Sequence, residues 1–360
     1  MSYELCDKVR ELEPYQPITG DYRIRLDANE SFFSMPEQIR KEIKEIVDSV
    51  DFNRYPDTVA EELIEAFANF YGIAPENVTA TNGSDEVLYL IASALLEKNS
   101  TVIVAEPDFS MYNFYSFLAE NRIISCEKNE LLNINVDSLI KTVNDNNADM
   151  VIFSNPCNPT STGITAAQVR RLVTSVSALV VLDEAYMDFW DESIIREAAQ
   201  YDNLILLKTA SKAVGAAALR LGFAVCNKTI TTALRAVKSP YNVNTLSQRV
   251  GACIFRHKEL LRERCSAIRE NIRTLYKELL KLNERYSLSF DIPEPRTNFV
   301  FVRTRLAKDI FEYLLSKGIA VRYFGAAGAL RITTGSSEEN KELMTALEGY
   351  IIEKYLSENR

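Results

Sequence analysis

Two residues stand where charge is costly unless it is used. Asp183 closes the apolar run 179–182, and Lys212 follows the apolar run 204–207 in the segment Lys208-Thr209-Ala210-Ser211-Lys212. A carboxylate at the end of a core strand needs a partner or a cation. Lys212 and Arg220 flank the Ala-rich stretch 213–219 and fit either a cationic site or a pair of solvated charges. Two further segments follow strand-like runs directly. Asn82-Gly83-Ser84-Asp85-Glu86 opens a helix, and small residues there offer backbone N–H groups to a phosphate, though they fit a plain turn and N-cap equally well. Ser154-Asn155-Pro156-Cys157-Asn158-Pro159-Thr160 reads as a loop punctuated by Asn-Pro steps. The chain has one histidine, His257, in a charged helical stretch, so Ser-His-Asp hydrolysis, His-rich metal sites and His-based hydride transfer would all rest on that residue. Chemistry here is expected to run on other groups, without a metal.

The elements that must position these groups alternate along the chain. Strand-like runs at 78–81, 101–105, 122–126, 150–153, 179–182, 204–207 and 222–226 are separated by amphipathic stretches such as 86–96 and 166–175. Runs apolar throughout, with helices between, predict a mostly parallel sheet covered on both faces. Ligands of such α/β sheets bind at the carboxyl ends of the strands, where all four polar segments would converge. After Ser239-Pro240 the pattern becomes one long or kinked helix over 246–283. Strand-like runs at 298–303, 320–323 and 329–333 follow, around a helix at 307–317. The expected organisation is an N-terminal arm (1–35), a large domain (36–245), and an interdomain helix with a smaller α+β domain (246–360). The chain has 360 residues, 47% of them hydrophobic, which is ample for such a core and excludes a disordered or fibrous chain. Its net charge of −9 argues against a nucleic-acid or anionic-membrane surface. No apolar h-region precedes Pro14, no run reaches transmembrane length, and six scattered Cys without a CxxC pair point to free thiols in a reducing cytoplasm.

In this order the segments resemble the fold type I pyridoxal-phosphate aminotransferases, and within them the histidinol-phosphate aminotransferase group. The resemblance covers nearly the whole chain. It is carried by LDANE (26–30), NRYPD (53–57), GSDE (83–86), EPDFSMY (106–112), NPT (158–160), DEAY (183–186) and SK (211–212), and continues in LRLGF (219–223), NFVFV (298–302) and LRITTG (330–335). It implies a mostly parallel seven-stranded sheet with a smaller α+β domain, and pyridoxal 5'-phosphate as cofactor. By resemblance, Lys212 is the residue in Schiff-base linkage with that cofactor and Asp183 pairs with its protonated pyridine nitrogen. A carboxylate there keeps the ring cationic and able to stabilise a carbanion at the substrate α-carbon. Asn158 and Tyr186 would hydrogen-bond the phenolic oxygen, and Phe109 would stack on the ring. The phosphate would rest on the turn at Gly83, Ser84 and Asp85, with Thr209, Ser211 and Arg220 around it; the Arg fork suits phosphate geometry. Tyr55 would reach the phosphate of the partner subunit in a homodimer. Three departures stand out: Ser161-Thr162 lengthen the usual NPTG loop, Ala218 replaces a common Gly, and Phe109 replaces a frequent Tyr.

The activity this implies is a ping-pong transamination between glutamate/2-oxoglutarate and histidinol phosphate or its keto form, in histidine biosynthesis. Arg331 would take the glutamate carboxylate, with Arg322 and Tyr15 on the distal phosphate of the second substrate. Threonine-phosphate decarboxylases share most of these motifs, and a broad or aromatic aminotransferase keeps the same machinery. A non-catalytic cofactor-sensing regulator would need a DNA-binding domain, for which the acidic chain leaves no room.

Overall fold

A computed structural model describes residues 3–10, 12–14 and 17–355. Eleven strands form among them: β1 (Ile24–Leu26), β2 (Val78–Asn82), β3 (Thr101–Glu106), β4 (Arg122–Glu127), β5 (Met150–Ser154), β6 (Leu179–Asp183), β7 (Leu204–Thr209), β8 (Leu221–Cys226), β9 (Phe299–Arg303), β10 (Ile319–Phe324) and β11 (Ala329–Thr333). Seven of them make a sheet in the order β2-β8-β7-β6-β5-β3-β4, and the other four a sheet in the order β1-β10-β11-β9.

The large sheet is apolar on both sides because helices cover both sides. Val180, Leu182, Leu204 and Leu206 enter one core with Leu63, Phe67, Leu172 and Phe255 from the covering helices. The alternate residues Val181, Ile205 and Leu207 enter another with Val87 and Leu88. Each such side chain contributes about 1.5–3 kcal/mol when fully buried. Strand β8 alone runs against its neighbours, pairing antiparallel with β2 and β7. An apolar run reads the same in either direction, so the sequence does not reveal this reversal. It brings the residue that precedes β8, Arg220, to the rim where β7 ends, with Gly222 level with Thr209.

In the small sheet, Leu330 and Ile332 of β11 pack with Leu275, Leu279 and Val300. The period of two then turns Arg331 and Thr333 to the opposite face, towards the large-sheet rim. Strand β1, from the expected N-terminal arm, is stitched in parallel to β10, with Ile24 level with Ile319. The helical stretch after Pro240 is two helices, Thr245–Arg256 and Lys258–Tyr286, interrupted at His257 (φ −85, ψ 57). No Gly or Pro marks the break; His257 Nε2 lies 3.0 Å from Glu42 Oε2. Val250, Phe255 and Leu261 lie in the core of the large sheet and Ile272, Leu275 and Leu279 in that of the small one, so the second helix joins the two cores. Among the described residues, no helix is long and apolar enough to cross a membrane.

Candidate active site

The carboxyl rim of the large sheet opposes the inner face of β10 and β11 across a cavity of about 440 Å³. Lys212 projects into it just beyond β7, where its Nζ donates to Ala28 O at 3.0 Å. Burial, reinforced by the nearby Arg331 and Arg220, pulls its pKa down to about 8. Asp183, the last residue of β6, is 4% exposed. Its Oδ2 accepts from the Tyr112 hydroxyl at 2.8 Å and its Oδ1 from Ala185 N–H at 2.9 Å. Burial pushes this carboxyl up to about 6 in spite of those two bonds. A buried acid that takes up a proton so readily is suited to a cationic partner.

One end of the cavity is built for an anion. Ser84 and Asp85 open the helix Ser84–Leu90 there, and Thr209, Ser211 and Arg220 face them. Thr209 Oγ1 bonds Ser211 Oγ at 3.0 Å, and Arg220 Nη2 lies 3.5 Å from Asp85 Oδ2. Glycine suits both backbones that meet here, Gly222 for its close approach to the turn and Gly83 for its φ of 79. A Cβ on Gly222 would fall 2.3 Å from Ser84 N, and one on Gly83 would fall 2.8 Å from Arg220 Nη2. Gly83 is not itself among the residues that line the cavity.

The loop after β5 brings Asn158 to the cavity. Asp108, in a buried ion pair with Lys128 at 3.2 Å, accepts from Ser154 N–H at 3.1 Å. Ser154 Oγ accepts in turn from Asn158 N–H at 3.1 Å. The two extra residues are absorbed beyond this point: Ser161 Oγ bonds Thr297 Oγ1 at 2.6 Å, and Thr162 Oγ1 donates to Leu132 O at 2.6 Å. Arg331 Nη1 donates to Asn158 Oδ1 and its Nη2 to Asp27 O, both at 2.6 Å. Tyr186 and Phe109 line the cavity, as does Arg322, directly opposite Arg331 in the strand register. Burial raises the Tyr186 phenol to about 12, so it is a hydroxyl at any ordinary pH.

Two expected residues are not brought to this cavity. Tyr55 is 79% exposed and stacks on Tyr241, ring centroids 4.4 Å apart, outside the lining of its own chain's cavity. Tyr15 lies outside the described residues. Other residues of the site were not singled out from the sequence. Tyr112 looks like one more core aromatic of an amphipathic helix, and its role rests on a hydroxyl contact 71 residues away. Asn29, inside LDANE, donates from Nδ2 to the Tyr186 hydroxyl at 2.8 Å; its motif was visible but its partner was not.

The donor set fits pyridoxal 5'-phosphate. An arginine, two hydroxyls and a helix start match its phosphate, a buried carboxylate its ring nitrogen, and a buried amine of lowered basicity its aldehyde.

Comparison with known proteins agrees with this geometry. The model of the family described as aminotransferase class I and II matches residues 23–347. The histidinol-phosphate aminotransferase of Clostridium novyi (strain NT) is 37% identical over 353 residues, which is 97% of this chain and 98% of that one. Among solved structures, the histidinol-phosphate aminotransferase from Sinorhizobium meliloti in complex with pyridoxal-5'-phosphate superposes with a TM-score of 0.85, at 22% identity over 97% of each chain. The L-threonine-O-3-phosphate decarboxylase from Porphyromonas gingivalis shares the fold with a TM-score of 0.78, at 22% identity over 92% of this chain and all of that one.

Proposed function

This chain belongs to the aminotransferase class I and II family, and on that footing we propose that it is a pyridoxal-phosphate transaminase that moves an amino group between glutamate and the keto form of histidinol phosphate. The observation that carries the substrate assignment is the pair Arg322 and Arg331, level with each other on β10 and β11 and lining the same cavity as Lys212 and Asp183. Such a pair suits two anions taken in turn, a carboxylate and a phosphate ester.

The bound cofactor supplies an aldehyde for amines and a ring that withdraws electrons from the substrate α-carbon. The protein supplies the rest. Asp183, aligned by Tyr112 and Ala185, holds a proton on the ring nitrogen. Lys212, with a pKa of about 8, is unprotonated in a usable fraction near neutrality. Its amine can therefore take the proton from the substrate α-carbon and hand it on as an acid. Tyr186 and Asn158 hold the phenolic oxygen, Phe109 covers the ring, and Ser84, Asp85, Thr209, Ser211 and Arg220 anchor the phosphate. Arg331 fixes the substrate carboxylate, and Arg322 is recruited for the larger phosphate. Glutamate and the second keto substrate would occupy the same cavity in turn, each meeting Lys212 and Arg331.

Tyr55 completes the phosphate site of a second copy in a homodimer. Support comes from the exposed, stacked rings of Tyr55 and Tyr241, an apolar surface of the kind that marks an interface. A cytoplasmic setting is supported by six free cysteines. The test is an acceptor screen on purified protein, glutamate as donor, comparing phosphorylated and unphosphorylated acceptors and measuring CO2. Preference for the phosphate ester without CO2 release supports the assignment. Release of CO2 from threonine phosphate would replace it with a decarboxylase.

A further inference from the structure

Asn29 is 1% exposed and sits in the left-handed region at φ 55, a conformation Asn tolerates better than most residues. Three elements converge on it. Its N–H donates to Thr333 Oγ1 at 3.0 Å, and the Thr333 hydroxyl donates to its Oδ1 at 3.1 Å. Asn298 Nδ2 donates to its carbonyl at 3.1 Å. With the amide oxygen engaged by Thr333, Nδ2 meets the Tyr186 hydroxyl at 2.8 Å. Tyr186 is 5% exposed and Thr333 2%, so water does not compete for these bonds.

Direction matters in this chain of bonds. Because the Tyr186 oxygen accepts from Asn29, the phenolic proton is released from that contact and can be donated into the cavity. Accepting a hydrogen bond also polarises the phenol and makes it a stronger donor. Thr333 lies two residues after Arg331 on β11, so both side chains leave the same face of the strand. Arg331 reaches Asn158, and Thr333 reaches Tyr186 through Asn29.

We propose that Asn29 is a positioning residue that aims the Tyr186 hydroxyl at the cofactor's phenolic oxygen, and that Thr333 sets the orientation of Asn29 from the strand that carries Arg331. This rests on the reading of the cavity as a pyridoxal-phosphate site. The small sheet thereby controls how strongly the phenolic oxygen is held, through a route separate from Arg331 and Asn158.

The test is a pH titration of the visible absorption of protein loaded with pyridoxal 5'-phosphate. A donor to the phenolic oxygen favours the deprotonated chromophore, so weakening that donor must raise the midpoint. Asn29→Ala should raise it by about half a pH unit or more. Thr333→Val should raise it by less, and Thr333→Ser, which keeps the hydroxyl, should restore the wild-type value. In a Tyr186→Phe background, Asn29→Ala should add nothing, as expected of residues acting through one group. If Asn29→Ala does not fold or load, the Thr333 pair carries the test alone. An unchanged or lowered midpoint in variants that fold and load overturns the proposal, the lowered one because Tyr186 would then be donating to Asn29. A wild-type protein that stays colourless with pyridoxal 5'-phosphate overturns instead the cofactor reading beneath it.

Discussion

Arg322 and Arg331 are directly opposed residues of antiparallel strands, and both line one cavity. Like charges placed opposite each other repel, and an anion taken between them would relieve that repulsion. Arg322→Ala should cut turnover of the phosphorylated substrate about a hundredfold while sparing the glutamate half-reaction. Single-turnover measurement of each half-reaction separates the two effects. Equal loss in both halves would give Arg322 no special claim on the phosphate.

Lys212 should hold the cofactor covalently. Borohydride reduction followed by peptide mapping should place the adduct on the Lys212 peptide and nowhere else, and Lys212→Ala should yield no adduct. A reduced adduct on another lysine would displace it from its role.

The depressed basicity of Lys212 sets a pH dependence. In cofactor-free protein the amine is mostly protonated below its pKa of about 8 and mostly free above it. Uptake of pyridoxal phosphate should therefore speed up about tenfold from about pH 7 to about pH 9, since only the free amine attacks an aldehyde. Stopped-flow absorbance checks this. A midpoint near that of an ordinary lysine would show that burial does not act on this amine.

Asp183→Asn should lower turnover by about 10²–10³-fold, because an amide cannot hold the ring nitrogen protonated. Circular dichroism should show the sheet intact, as the amide has nearly the same shape. Near-normal turnover would reduce Asp183 to a ligand of Tyr112 and Ala185.

Mixing Lys212→Ala chains with Tyr55→Ala chains should restore activity, since one site of each mixed dimer would receive both wild-type residues. About half the normal activity per mixed dimer is expected. If mixtures stay as inactive as either parent, Tyr55 does not act across an interface.

The rim groups were legible because each sits at a fixed offset from an apolar run: Asp183 at the end of β6, Lys212 past β7, Ser84 past β2. Local sequence dictates such placements. What was not legible depends on distant pairing. Tyr112 meets Asp183 from a helix 71 positions away, and Asn29 meets Thr333 across 304 positions, so neither contact leaves a mark in its own neighbourhood. The reversal of β8 escaped because hydrophobicity has no direction. A kink within 246–283 was expected, but its place at His257 escaped because its flanks are good helix formers on both sides.

The parallel pairing of β1 with β10 also governs the order in which the molecule can be assembled. Residues 78–226 contain every strand of the large sheet, so that sheet can close while the ribosome is still translating the rest. Strand β1 is made earlier than any of them, yet its partner Ile319 emerges nearly 300 residues later. Ala28 and Asn29, which touch Lys212 and Tyr186, come just after β1, and Asn29 is held by Thr333 of the late strand β11. A nascent chain can thus carry a finished scaffold and an unfinished site. Pairings this remote are slow to form, so recovery of cofactor binding should lag behind recovery of secondary structure when the protein refolds.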